Sequence, residues 1–357
     1  MGIDPQVELI FQHFTPRYVA TGVDMSDLLR LRARIEDWSD WCRMWSETAR
    51  MHEELALVAL EKRRTVTAGQ AFLRASICYH YAKHLFCADP EQYATAHASM
   101  LGCYTAASTL VSPNMERVSF PYDGAHIVGW LRKPAGVSRP AVAVILPGLD
   151  ACKEELHEWS EAFLERGLAT LTLDGPGQGE TAFLLPITPH WGRVLGAVID
   201  VLERRDDIDG HSVAVIGQSF GALYAPLSAA FGPRIKACVS NCGPFDMGRV
   251  LPQMPAVSQE MFRVRSHSPD AASALALAHR ISLENGVAER IACPLLVVFG
   301  AGDKIIPASE GARLAQAASG KVDYVVYEEG NHVCFNIPYK FRPLTADWTA
   351  EQLLAPG

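Results

Sequence analysis

From Met25 onward, apolar and charged residues recur at intervals of three and four, and no proline interrupts the pattern before Pro90. That spacing belongs to one-sided α-helices. Leu28, Leu29, Leu31, Ile35, Trp38, Trp41 and Trp45 make one apolar face, and Leu55, Leu57, Val58 and Leu60 make a second. Two further helices are predicted at Ala68–Cys87 and Pro90–Val111, so residues 1–114 read as an all-helical N-terminal domain.

The period changes at Ser112-Pro113-Asn114. Arg117 to Tyr122 and Ile127 to Arg132 alternate like two strands joined by a turn at Asp123-Gly124. Short β-branched or apolar runs then alternate with helical stretches, at Ala141 to Leu146, Ala169 to Leu173, Ser212 to Ile216, Ala237 to Ser240, Leu295 to Phe299 and Val322 to Tyr327. Such alternation predicts βαβ units on a mainly parallel sheet flanked by helices, an α/β domain over residues 115–357. Phe245 to Glu289 is too long for a simple link between strands and reads as a helical insertion over the sheet's carboxyl edge. Its Met247, Met254, Met261 and Phe262 suit either an adaptable apolar pocket or a gap-filling core.

Length agrees with this division, since 357 residues exceed the roughly 250–300 at which single cores stop growing. A hydrophobic share of 49% and a charged share of 20% are ordinary for a globular protein. The formal net charge of −8 argues against nucleic acid as a partner, because phosphate tracking needs clustered Lys and Arg. Met1 to Phe14 carries Asp4 and Glu8 and lacks a basic segment followed by an apolar run, so no signal peptide is expected. No stretch approaches about 18 uninterrupted apolar residues, so no membrane span is expected and the chain reads as cytoplasmic. The nine cysteines, Cys78, Cys87, Cys238 and Cys293 among them, lack the paired spacing of a zinc site or a disulfide framework. They read as reduced, buried thiols.

Gly217-Gln218-Ser219-Phe220-Gly221 follows the apolar run Val213 to Ile216 and precedes the helical Ala222 to Ala230. Strand, sharp turn and helix are the setting of a nucleophile elbow, with small residues where the two backbones close on each other and a serine hydroxyl exposed above the sheet. Without that setting, Ser219 would read as a helix cap. A serine at its normal acidity needs a general base, and His332, in Glu329-Gly330-Asn331-His332 directly after the last strand, is placed to supply it. Asp303, in the turn Gly300-Ala301-Gly302-Asp303, is the candidate acid that orients the imidazole; its plainer role would be to cap a helix near Pro307. Asp246 is the rival acid. The order Ser, Asp, His is the one this fold uses. The oxyanion donors are expected to be the backbone amides of Phe220 and, after the strand Val142 to Leu146, of Leu149.

Two other patterns are weaker. Asp174-Gly175-Pro176-Gly177-Gln178-Gly179-Glu180 is glycine-rich after a strand but has neither dinucleotide nor phosphate-loop spacing, and reads as a tight turn. His80 and His84 sit four apart on a helix with no third ligand in view, and read as surface or packing residues. No metal and no cofactor are expected.

The helical N-terminal region, Gly148-Leu149-Asp150 with Lys153-Glu154-Glu155, the Asp174 to Glu180 turn, the serine elbow, and Ile291-Ala292-Cys293-Pro294 together resemble one family. It is that of 2,6-dihydroxypseudooxynicotine hydrolase, the FrsA-like esterases and fungal polyketide-shortening hydrolases. The resemblance covers most of residues 60–350. It implies an α/β-hydrolase fold, no cofactor, a helical N-terminal cap domain that often helps in homodimerisation, and the Ser219, Asp303, His332 triad. It also implies a small-molecule ketone or ester substrate. The nicotine-pathway enzyme cleaves a carbon–carbon bond beside an aryl ketone, and the fungal relatives release a β-diketone side chain. Gln218 stands where that enzyme has a basic residue, and Phe245 to Phe262 diverges, so its substrate does not carry over. Three readings follow: carbon–carbon hydrolysis of a β-diketone or aryl ketone, ester hydrolysis or acyl transfer on the same triad, and a non-catalytic binding protein that kept the fold.

Overall fold

The computed structural model describes residues 3–111 and 115–354. The predicted boundary at Ser112 to Asn114 lies outside the described residues. The chain forms two compact units, one up to Glu116 and one from Arg117.

The first unit contains α1 (Pro5–Ala20), α2 (Met25–Arg34), α3 (Trp41–Glu61), α4 (Thr65–Lys83) and α5 (Pro90–Ser108). The sequence pattern began its helices at Met25, so α1 is an addition. Its start was signalled by Asp4-Pro5: the Asp4 carboxylate accepts from the Gln6 amide at 2.8 Å and proline takes the first turn. α4 is buried along most of its length and packs against both α3 and α5. The unit centres on Tyr18, Trp41, Trp45 and Tyr81, with Tyr18 and Tyr81 in edge contact at 4.3 Å and the Trp41 indole donating to the Tyr81 carbonyl at 2.8 Å.

One predicted face is inverted. Leu55, Leu57, Val58 and Leu60 are exposed, while Ala56 and Ala59 turn inward. Small side chains let α3 and α4 approach closely, so the alanines take the contact face and the larger residues are left in water. Leu29 is likewise exposed, whereas Leu28, Leu31, Ile35, Trp41 and Trp45 are buried as expected.

The second unit is an eight-stranded sheet flanked by helices. Its strands are β1 (Glu116–Tyr122), β2 (Ala125–Arg132), β3 (Ala141–Leu146), β4 (Ala169–Asp174), β5 (Asp209–Gln218), β6 (Ile235–Asn241), β7 (Leu295–Gly300) and β8 (Val322–Tyr327). They run in the order β1-β2-β4-β3-β5-β6-β7-β8. β2 is antiparallel to β4, and every pairing from β4 across to β8 is parallel. β1 and β2 meet at Asp123-Gly124, both at positive φ (48° and 76°), the geometry of a tight hairpin turn.

Its helices are α6 (His157–Leu164), α7 (Trp191–Leu202), α8 (Gly221–Phe231), α9 (Met247–Val250), α10 (Ala256–Arg265), α11 (Ala271–Ala278), α12 (Ala308–Ala317) and α13 (Pro338–Leu354). The chain steps one way across the sheet from β3 to β4 and the other way from β4 to β5. Right-handed crossovers therefore put α6 and α7 on opposite faces. β3, β4 and β7 are buried at every position, as strands covered on both sides must be, and β8 at the edge is not. α9, α10 and α11 fall between β6 and β7, in the segment read as a helical insertion. Met247 and Met261 are buried there.

The registers Leu146↔Gly217, Gln218↔Asn241, Asn241↔Val298 and Gly300↔Tyr327 bring the carboxyl ends of β3, β5, β6, β7 and β8 level. Loops leaving those ends meet where the strand order reverses, the place where open α/β sheets hold their ligands.

Candidate active site

Ser219 follows β5 directly, with φ of +54°, and α8 opens two residues later. A left-handed non-glycine residue costs on the order of 1–3 kcal/mol, so its surroundings must enforce the turn. The flanking glycines are required by distance: a Cβ on Gly217 would stand 2.0 Å from the Gly221 oxygen, and one on Gly221 would stand 2.5 Å from the Leu146 and Pro147 oxygens. The Ser219 amide donates to the Asn241 carbonyl at 2.9 Å, which ties the turn to β6.

His332 lies in a short turn after β8, followed by Val333 and Cys334, both at φ of 61°. The Asn241 carboxamide holds this turn by donating to the Val333 carbonyl at 3.3 Å. The His332 Nδ1 is 2.7 Å from Asp303 Oδ2 and its Nε2 is 2.9 Å from Ser219 Oγ. A carboxylate can only accept, so Nδ1 carries the proton and Nε2 is left to accept from the serine hydroxyl. The Asp303 side chain has no solvent exposure, and its Oδ1 accepts the Ile305 and Ile306 amides at 2.8 and 2.9 Å. With both oxygens engaged, the carboxylate cannot rotate away from the imidazole.

Asp303 was also a candidate helix cap, but it bonds the turn before α12, which starts at Ala308 without a side-chain cap. Asp246, the rival acid, caps α9 instead, accepting the Gly248 and Arg249 amides at 2.8 and 3.3 Å.

Of the expected oxyanion donors, Phe220 sits at the head of α8, where amides have no partner within the helix. Leu149 is buried in the loop after β3. That loop touches the serine: a Cβ on Gly148 would lie 3.1 Å from Ser219 Cβ and 3.4 Å from its Oγ. The Phe220 ring packs on Tyr224 (4.3 Å) and on Phe262 of α10 (5.7 Å), so the insertion reaches the residue next to Ser219.

A charged cluster that belongs to no catalytic motif in the sequence stands beside this loop. Lys153, fully buried, lies 2.8 Å from Glu154, 2.9 Å from Asp174 and 2.7 Å from Glu180. Burial works against its charge, yet the three carboxylates hold its pKa well above the ordinary lysine value. Glu154, although buried, is drawn down to about 2 by Lys153 and by the Trp130 indole that donates to it at 3.0 Å. Burial, only partly offset by Lys153, pushes Asp174 up. The available signal was four charged residues placed against apolar strands, which in a folded core must pair. The glycine-rich Asp174 to Glu180 segment is the tight turn expected: Gly179 at φ of 44° passes so close to Asp174 that a Cβ there would be 1.8 Å from Oδ2.

His80 and His84 are buried packing residues, not surface ones. Among the described residues the group best able to hold a metal is Asp27, His52 and Cys78, whose ligand atoms lie within 4.8 Å of one another. Asp27 is already engaged by His52 at 2.7 Å and by Arg30, and burial pushes the Cys78 thiol well up, so the trio reads as a hydrogen-bonded pair beside a protonated thiol. Cys78 and Cys238 are buried as expected, while Cys87 and Cys293 are half-buried.

Residues 33–336 match the family described as Esterase FrsA-like. The chain belongs to the FrsA-like esterase family. This FrsA-like protein is 30% identical to the 2,6-dihydropseudooxynicotine hydrolase of Paenarthrobacter nicotinovorans over 339 residues, covering 95% of its own length and 91% of the relative's. Its fold matches the crystal structure of 2,6-dihydroxy-pseudo-oxynicotine hydrolase with a TM-score of 0.87 at 29% identity, over 96% of each chain. The hydrolase acrC of Aspergillus aculeatus is 31% identical over 254 residues, 64% of this chain, which spans 59% of that relative's length. AbyA5, at 19% identity and a TM-score of 0.75, shares the fold. The FrsA-like protein is thus an α/β hydrolase, and among its described residues no helix is long and apolar enough to cross a membrane.

Proposed function

We propose that this FrsA-like protein is a serine hydrolase that breaks a carbon–carbon bond in a β-diketone or aryl ketone. In this reading Ser219 is the nucleophile, His332 the general base and acid, Asp303 the residue that orients and charges the imidazole, and the Phe220 and Leu149 amides the oxyanion donors. The observation that carries it is the unbroken hydrogen-bond line from Asp303 through His332 to Ser219, at 2.7 and 2.9 Å.

The chemistry follows from that line. Ser219 Oγ gives its proton to His332 and adds to one carbonyl, forming an oxyanion beside the two amides. Collapse breaks the bond to the neighbouring carbon. The departing electron pair is held as an enolate, or on an electron-rich ring, and takes the proton back from the imidazolium. Water deprotonated by His332 then releases the acyl group from Ser219 as a carboxylic acid.

Preference for carbon–carbon cleavage over ester hydrolysis rests on the family resemblance, supported by similarity over 95% of the chain to the 2,6-dihydropseudooxynicotine hydrolase. The second reading, ester hydrolysis or acyl transfer, is favoured by the family's own description as esterases. Incubation of the purified enzyme with 1,3-diketones, aryl ketones and p-nitrophenyl esters, followed by mass spectrometry, separates them. Acid plus shortened ketone supports the first reading, and turnover of esters alone overturns it.

Two further parts of the proposal rest on the same resemblance, residues 1–114 as a cap domain beside a catalytic domain of residues 115–357 in the sequence, and a homodimer; a cytoplasmic location rests instead on the sequence pattern. The exposed apolar residues Leu55, Leu57 and Val58 of α3 support self-association, which analytical ultracentrifugation tests directly.

A further inference from the structure

The loop that follows β3 is held from both sides by the last residue of β4 and by the turn that follows it. At the start of the loop, the Gln178 carboxamide donates through Nε2 to the Pro147 carbonyl at 2.5 Å and to the Gly148 carbonyl at 3.4 Å. At its far end, Asp174 Oδ1 accepts the Lys153 amide at 2.8 Å and Oδ2 the Lys153 ammonium at 2.9 Å. Leu149 lies between these two anchors. Gln178 is itself fixed: it is 1% exposed, and its Oε1 accepts the Gly175 amide at 3.0 Å. That bond also settles which end of the carboxamide faces the loop, since only the NH2 end can meet two carbonyl oxygens.

We propose that Gln178 is a positioning residue for the oxyanion hole, setting the orientation of the Gly148–Leu149 peptide. The inference rests on the reading of the Leu149 amide as an oxyanion donor. In a trans peptide the C=O and N–H point in opposite directions, so capturing the Gly148 oxygen aims the Leu149 N–H away from Gln178. A hydrogen bond accepted by that oxygen also polarises the peptide and strengthens its N–H as a donor. The anchor is needed because Gly148 lacks the Cβ that would otherwise restrict it, and it lacks that Cβ because the loop passes against Ser219. Arg265 of α10 donates to the Gly177 carbonyl at 3.0 Å, which ties the insertion to the same turn. The backbone on either side of Gln178 is thus fixed by groups other than its own carboxamide.

The test compares Gln178→Met, which keeps the shape and loses both donors, with Gln178→Glu, which keeps one donor only while its carboxyl is protonated. Both are assayed on a p-nitrophenyl ester and on a diketone beside the wild type and Ser219→Ala, with folding checked by circular dichroism and Tm. Gln178→Met is expected to lower kcat roughly 10- to 100-fold, less than the 100- to 1,000-fold of deleting a donor outright, with KM changed less than about threefold. Affinity for a trifluoromethyl ketone, which mimics the oxyanion, should fall in parallel. The ratio of Gln178→Glu to wild-type activity should rise as pH falls, because protonation restores a donor; a residue serving only to fill space would give no such profile. A folded Gln178→Met with kcat within twofold of wild type, or a flat Gln178→Glu ratio, overturns the proposal. Should Gln178→Met fail to fold, the Gln178→Glu profile decides alone. If Ser219→Ala keeps full turnover, the underlying serine-hydrolase reading fails; if Ser219→Ala is dead and Gln178→Met is unaffected, only the positioning role fails.

Discussion

In the helical unit, buried surface is organised around rings: Tyr18, Trp41, Trp45 and Tyr81 interlock, and alanines fill the seam between α3 and α4. In the sheet unit, beyond the carboxyl ends of the strands, burial is organised around direction. There Ser219, Cys242, Val333 and Cys334 all adopt positive φ, and the buried side chains of Asp303, His332 and Lys153 are each bonded to a specific partner. Packing alone rewards neither strain nor buried charge. The helical unit also buries Arg17, Asp27 and Lys83 and holds Leu85 at positive φ, so what sets the sheet's carboxyl edge apart is that strain and burial there line up Asp303, His332 and Ser219 in one hydrogen-bonded row.

The sharpest way to break that contrast is to disturb direction without volume. Asp303→Asn keeps the shape of the side chain but leaves His332 with the wrong tautomer, and kcat should fall about 10,000-fold. Asp246→Asn, at the rival position, should leave kcat within about threefold, because that carboxylate caps α9. Equal losses at the two positions in a kinetic assay would dissolve the distinction.

Lys153→Met removes the buried cation that Glu154, Asp174 and Glu180 share, leaving, among the described residues, only Glu180 with another cationic partner in Arg117, and should cost about 3–5 kcal/mol in denaturant unfolding, as expected when one partner of a buried ion cluster is lost. In the helical unit, where packing decides, Ala56→Leu should cost about 1–3 kcal/mol by overfilling the seam with α4. Leu55→Gln, one residue away and exposed, should stay within about 0.5 kcal/mol while shifting sedimentation toward monomer.

The acid limb gives a smaller effect. The folded pKa of Glu154, about 2, lies below its ordinary 4.5, so its stabilising contribution is complete above that ordinary value and is lost as pH falls toward about 2. Glu154→Gln should therefore flatten the decline of Tm between those limits, and an unchanged slope would place the acid sensitivity elsewhere.

The sheet unit was the more legible of the two. Alternation marked β1 and β2, short β-branched or apolar runs marked the six strands after them, and the strand before Ser219 and the strand before His332 were enough to deliver those residues to one edge. In the helical unit the same reading of large apolar residues inverted part of α3, because Ala56 and Ala59 are too small to register as a hydrophobic stripe yet define the closest contact. α1 was overlooked although Asp4-Pro5 announces its start. Gln178 and Lys153 were visible as letters but not as parts of a site, since their partners stand some 30 and 20 residues away and the pairing follows only from β3 and β4 lying side by side.

The proposed chemistry requires Ser219 Oγ to be the atom that attacks. Treating the enzyme with a fluorophosphonate and mapping the adduct by peptide mass spectrometry tests this directly. One modified peptide containing Ser219, labelled quickly in the wild type, slowly in His332→Ala and not at all in Ser219→Ala, is the predicted result. Label on another residue, or labelling that survives Ser219→Ala, would contradict it.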